Sequence, residues 1–337
     1  MADRCGDAQL ELFTRTGQAD RGSVAVGPAL LRAEIAGLAE RLPTGLRLGT
    51  SSWSFPGWAG IVYGDRATAQ RLAHFGLAAY ARHPLLRSVG IDRSFYRPIG
   101  AAEFAAYAAA VPEDFRFLVK AHEALTLARF PRHARYGGRA GEPNPLRFDA
   151  GYARDAVVGP CLEGLGAKAG AILFQFPPQT LAELGPPQAF AERLHGFLAA
   201  LPRGARYAVE LRSRALFTPA YAAALAAAGA LHCVNVHPAM PSVRAQRALV
   251  NGSKDPAWVV RWMLHPGFDY ESARERYTPF DRLVDEDPAT RSSLAGLCLE
   301  GSKAGKEVYV IINNKAEGSA PLSAFALAAA IAAADPT

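Results

Sequence analysis

No stretch of this chain strings together the roughly 18 to 20 apolar residues that a membrane-spanning helix needs. The Ala-rich stretches near 220–231 and 322–334 come nearest, and alanine forms helices while adding little hydrophobicity. The opening Met1-Ala-Asp-Arg-Cys5 lacks the charged and apolar regions of a secretory signal, so a cytoplasmic protein without membrane contact is expected. Cysteine is scarce. Cys5, Cys161, Cys233 and Cys298 lie far apart with no paired spacing, which argues against a disulfide framework and a zinc site and leaves free thiols. No Gly-x-Gly-x-x-Gly or Walker-type loop occurs, so neither a dinucleotide site nor an NTPase is supported. His-x-His and His-Glu-x-x-His spacings are missing too. His122, His237, His265, Asp92 and Glu210 are the candidate ligands, but nearby lysine and arginines oppose a cation, so no metal and no cofactor is expected.

What is present suffices for a large core: 337 residues, 50% of them hydrophobic. Neither an internal repeat nor a second core appears, so one domain over residues 28–337 is expected behind a tail of residues 1–27. The balance of 37 basic against 31 acidic residues gives a net +6, which favours anionic ligands without requiring nucleic acid. The tail is polar and lacks sustained periodicity. It contains Gln9-Leu-Glu-Leu-Phe13, which resembles the bacterial sliding-clamp binding motif, with Gln9, Leu10, Leu12 and Phe13 as anchors. The alternative is that the apolar members fold back onto the domain.

From Pro28 to Leu42 the apolar residues follow helical spacing, with Pro28 suited to a first turn and Pro43 as a stop. Short β-type runs then alternate with Ala/Leu-rich helical stretches. The strands expected are 46–51, 86–92, 115–120, 171–175, 207–211, 230–235, 258–263 and 308–313, with helices near 68–82, 101–110, 149–165, 187–201, 219–228, 286–300 and 321–334. The link 238–257 is poorly periodic. Eight strands with intervening helices predict an α/β fold, a single (β/α)8 TIM-type barrel with an N-terminal extension, in preference to an open doubly wound sheet.

Six segments in order carry a resemblance. Gly49-Thr-Ser-Ser-Trp-Ser-Phe-Pro-Gly-Trp58, Ser94-Phe-Tyr-Arg97, Phe115-Arg-Phe-Leu-Val-Lys120, Leu173-Phe-Gln-Phe-Pro-Pro178, Val209-Glu-Leu-Arg212 and Val308-Tyr-Val-Ile-Ile-Asn-Asn314 together resemble the DUF72 (YecE-like) family, over about residues 46–330. That resemblance implies a TIM-type barrel and no particular activity. Two departures stand out: Asp92-Arg93 stands where relatives usually carry Glu and Asn, and the seventh strand runs Val260-Arg-Trp-Met-Leu-His-Pro-Gly267 in place of a shorter Arg-x-His-Gly form.

In such barrels the site lies at the C-terminal ends of the strands. The stretch Arg206–Arg214 is the most telling. On a strand Ala208, Glu210 and Arg212 share one face, and burying an unpaired ion costs several kcal/mol, so opposite charges at the end of a core strand must pair, meet solvent or hold a ligand. The same parity places Lys120 above Leu118, Gln175 above Leu173 and Arg261 above Val259. Lys120, Glu210, Arg212 and Arg261 are therefore expected at one mouth, with Asp92, Trp53, Gln175, Asn313, Asn314, His122 and His237 around them. Glu210 is the expected general acid or base, and Lys120 the group that polarises a carbonyl or acts as the conjugate acid. Schiff-base chemistry at Lys120 is open in principle, but the sequence shows no depressed pKa. Residues 129–147 carry five arginines after the third strand, over the same mouth, and read either as a mobile lid that grips phosphate or as a solvated loop. The function expected is a cofactor-independent enzyme acting on a small phosphorylated or carboxylated substrate by proton transfer, in isomerisation or lysis. The rivals are a nucleic-acid or clamp-associated factor acting on phosphodiesters, and a non-catalytic anion-binding module.

Overall fold

The computed structural model describes residues 25–31, 33–250 and 255–335. Strands β1 (Leu46–Thr50), β2 (Leu86–Ile91), β3 (Arg116–Lys120), β4 (Ala169–Phe176), β5 (Tyr207–Leu211), β6 (Leu231–Val236), β7 (Ala257–Trp262) and β8 (Glu307–Ile312) pair in parallel and close into a barrel, β8 beside β1. This is the (β/α)8 barrel expected, and every strand boundary falls within two residues of the sequence reading. The segment Gln9 to Phe13 lies outside the described residues.

Each strand is buried on both faces, with residues of alternate parity serving different layers. Outward residues such as Leu48, Val89, Phe117, Phe174, Val209, Val260 and Val310 join the helices in the main apolar core. Inward residues Leu118, Leu173, Ala208, Cys233, Val259 and Ile311 fill a separate layer inside the barrel. On β1 the inward position is Gly49, where a Cβ would collide with the Ser88 carbonyl, so glycine lets β1 and β2 approach. Above the apolar layer the polar strand ends come next in register: Gln175 pairs with Glu210, and Asn235 with Arg261.

Most helices fall where expected, among them Ala101–Ala109, Pro187–Ala199, Pro219–Ala228, Pro288–Lys303 and Ala320–Ala334. Among the described residues three stretches differ. The first helix runs only from Ala33 to Glu40, because Pro28 and Ala29 are held in extended pairing with the 62–63 segment (Ala29 N–H to Val62 O, 2.9 Å). The doubtful link holds a helix, Val243–Leu249, capped by Ser242. Its Gln246 is buried and bonds His232, the Asn235 main chain and Pro241 O, so polar bridging replaces the apolar stripe that periodicity looks for. A further helix, Tyr270–Tyr277, was not expected, because it is too polar to show a stripe; an Asp269/Ser272 capping box starts it.

The Arg-rich segment, whose conformation the sequence leaves open, is folded. Leu127, Phe130 and Tyr136 form their own small core. The Asn144 side chain donates to Ala124 O at 2.6 Å and Leu127 O at 2.7 Å. Arg135 pairs with buried Glu123 at 2.7 Å, which also accepts from Tyr136. Arg129, Arg132 and Arg139 remain exposed.

Candidate functional site

The centre of the mouth is Arg261, at the end of β7 and fully buried. One terminal nitrogen of its guanidinium donates to Glu210 at 2.5 Å and to Gln175 at 3.3 Å. The other donates to both Asp92 oxygens, at 3.3 and 3.0 Å. Glu210 is itself fully buried, and its other oxygen accepts from Arg212 Nε at 3.0 Å. Asp92, Gln175, Glu210, Arg212 and Arg261, from β4, β5 and β7 and from the positions just past β2 and β5, are thus one bonded unit. Burial alone would push the Glu210 carboxyl up, but Arg261 and then Arg212 outweigh it and hold it at about 2. A carboxylate so clamped is a fixed negative charge and a poor proton carrier.

Lys120 stands beside this unit without joining it. Its ammonium lies 3.6 Å from the centre of the Phe95 ring, a contact weaker than a carboxylate would give a buried cation. The Ser94 hydroxyl donates to the main-chain oxygens of Ile91 and Lys120, which locks the two strand ends. Desolvation lowers the Lys120 pKa to about 8. The charges of Asp92 and Glu210 raise it and those of Arg261 and Arg212 lower it. Lys120 has no ion pair within 4.0 Å among the described residues. Arg212 is only half used: its Nε holds Glu210, while its two terminal nitrogens make no hydrogen bond to described residues. Three cations, Lys120, Arg212 and Arg261, face two anions, Asp92 and Glu210, so one positive charge is in excess.

The other expected residues are placed differently. His122 bonds the Tyr152 hydroxyl at 2.8 Å, and burial lowers it to about 4, which keeps it neutral. His237 Nδ1 accepts from Ala239 N, a local turn. The Asn313 side chain spans Ser51 and Lys315 N, while Asn314 accepts from Trp58 and Ala320 N, so both brace the loop after β8. Trp53 donates its indole N–H to Ala73 O, meets Tyr107 edge-on at 5.3 Å, and lines with Asp92 a recess of about 10 Å³. No three His, Cys, Asp or Glu side chains form a metal-ligand group among the described residues. No helix there is long and apolar enough to cross a membrane. Tyr152, which contacts His122, was not singled out from the sequence, because contacts between loops leave no periodic trace.

The opposite, N-terminal end of the barrel gives a contrast. There Glu307 binds Arg47 at 3.1 Å and also Arg206, which reaches the Tyr309 hydroxyl, and Arg116 donates to the main-chain oxygens of Glu113 and Phe115. A cavity of about 260 Å³ lies beside them. Each cation at that end has a protein acceptor, as a brace requires. At the C-terminal mouth Lys120 has none among the described residues.

Fold and strand-end chemistry together define the class: a (β/α)8 barrel protein with a charged C-terminal mouth. The sequence profile described as "Protein of unknown function DUF72" matches residues 47–337, and the chain belongs to that family. Its fold is similar to the crystal structure of a DUF72 family protein from Enterococcus faecalis V583, with 20% sequence identity, a TM-score of 0.54, and coverage of 85% of this chain and 95% of that one. A DUF72 family protein from Thermotoga maritima MSB8 is similar to a comparable degree, at 20% identity, TM-score 0.52, and coverage of 84% and 97%. No curated protein matches.

Proposed function

We propose that the mouth receives a small carboxylated or phosphorylated substrate and that the protein is a cofactor-independent enzyme working by proton transfer, with Lys120 as the mobile-proton group. The observation that carries this reading is the buried Lys120 amine without an ion pair. A protein selected for stability alone would replace it by an apolar residue, because an unpaired buried amine is costly. Kept beside the open edge of Arg212, it forms with that edge a receptor for one negative charge. A pKa near neutrality suits Lys120 to giving and taking a proton, whereas Glu210 fixes Arg261 and Arg212 in place.

The test is calorimetric titration of wild type and Lys120→Met with inorganic phosphate and malonate. Wild type is expected to bind at least one of them, more weakly as salt rises. Lys120→Met is expected to melt higher and to bind about tenfold or more weaker, the loss of one charge-assisted contact. Equal binding by the two proteins would remove Lys120 from the receptor and the reading with it.

A further inference from the structure

Resting on that reading of the mouth, we infer that Lys120 is a carbonyl nucleophile: its amine forms an imine with the carbonyl carbon of a small oxo acid whose carboxylate is received by Arg212. Geometry carries this assignment. The Lys120 side chain rises from the barrel interior at the end of β3, 6% exposed, and its nitrogen has no ion pair within 4.0 Å among the described residues to hold it protonated. On one side lies the Phe95 ring. Around it stand two cations, Arg261 and Arg212, and two anions, Asp92 and Glu210, all of which act on its charge. The anions are already bonded to the guanidinium groups, so none is available as a dedicated counter-ion. Such surroundings favour the neutral amine, the form that attacks a carbonyl, and the lowered pKa agrees with this.

The step balances without an outside reagent. The Lys120 nitrogen lone pair bonds to the carbonyl carbon while the C–O π pair moves to oxygen, and a proton passes from nitrogen to that oxygen to give a carbinolamine. The hydroxyl then leaves with one proton as water, and the nitrogen lone pair closes the C=N bond. Nothing is oxidised. Protonated, the imine carries a positive charge where the ammonium stood, near Asp92 and Glu210, and draws electrons from the adjacent carbon, which acidifies its C–H bond. A proton-transfer enzyme of the kind proposed has use for that activation.

The experiment is reductive trapping on the full chain. Wild type and Lys120→Arg are incubated with glyoxylate, or with acetaldehyde as a carbonyl lacking the carboxylate, in the presence of cyanoborohydride, and modified peptides are mapped by mass spectrometry. The reductant supplies the hydride that fixes the imine as a secondary amine. Lys120 is expected to take up glyoxylate at least about tenfold faster than exposed Lys303, because more of it is neutral near pH 7.5. It is also expected to prefer glyoxylate to acetaldehyde, and Lys120→Arg to show no adduct at position 120. Labelling of Lys303 at an equal or faster rate, or no label on Lys120, overturns the inference. If phosphate or malonate still binds in that case, the anion receptor stands and only the imine is lost. If neither anion binds, the receptor fails as well.

Discussion

At the scale of single residues, the mouth divides its charges between two duties. Glu210 has both oxygens committed to arginines, and its depressed pKa turns into a stability term that is complete above the unfolded value near 4.5 and disappears as pH falls towards 2. Glu210→Gln is expected to cost roughly 3–5 kcal/mol at pH 7, read by urea unfolding, because Arg261 and Arg212 are left without their counter-charge. A cost under about 1 kcal/mol would mean that the pair is not worth what its geometry suggests. Lys120 works in the other direction. Its folded pKa, about 8, lies below the unfolded value of 10.5, so the cost of burying it is complete below pH 8 and fades as pH rises towards 10.5. Lys120→Met is accordingly expected to be more stable than wild type by up to about 3 kcal/mol at pH 7, with the gap narrowing between pH 8 and 10.5. A residue whose removal stabilises the fold is retained for some other reason.

At the scale of elements, strands were read more surely than loops, and the reason is physical. Parity on a strand is dictated by the pleat, so Ala208, Glu210 and Arg212 could be assigned to one face from the sequence, as could Leu118 with Lys120. Loop contacts have no such rule. Nothing in the spacing of residues 129–147 announces that Phe130 and Tyr136 pack together, or that Asn144 ties the segment down. Nor could spacing reveal that Asn314 holds Trp58 instead of facing the mouth. Glycine roles separate in the same way. Gly49→Ala is expected to destabilise by at least roughly 1–3 kcal/mol, since the new Cβ meets main-chain atoms of β2. Gly196→Ala, exposed in the helix Pro187–Ala199 with nothing within 4 Å of the new Cβ, is expected to stabilise by roughly 0.5–1 kcal/mol. Melting curves of the two variants moving in the same direction would contradict this assignment of Gly49 to strand approach.

At the scale of the whole molecule, barrel closure turns residues from 92 to 261 into neighbours and gathers Lys120, Arg212 and Arg261 with Asp92 and Glu210 at one end. The N-terminal end, bonded around Glu307, shows what a finished brace looks like on the same strands. The C-terminal mouth differs by one amine that has no ion pair among the described residues, and that difference is the basis for assigning function to it. The measurement closest to this claim is the titration of Lys120 itself, followed in the full chain by competitive labelling with acetic anhydride across pH. The midpoint is expected near 8 in dilute buffer and higher once phosphate or malonate is added, because a bound anion favours the ammonium. A midpoint at or above 10.5 that neither anion moves would show that the charge at this mouth is already balanced, and the functional assignment would fall.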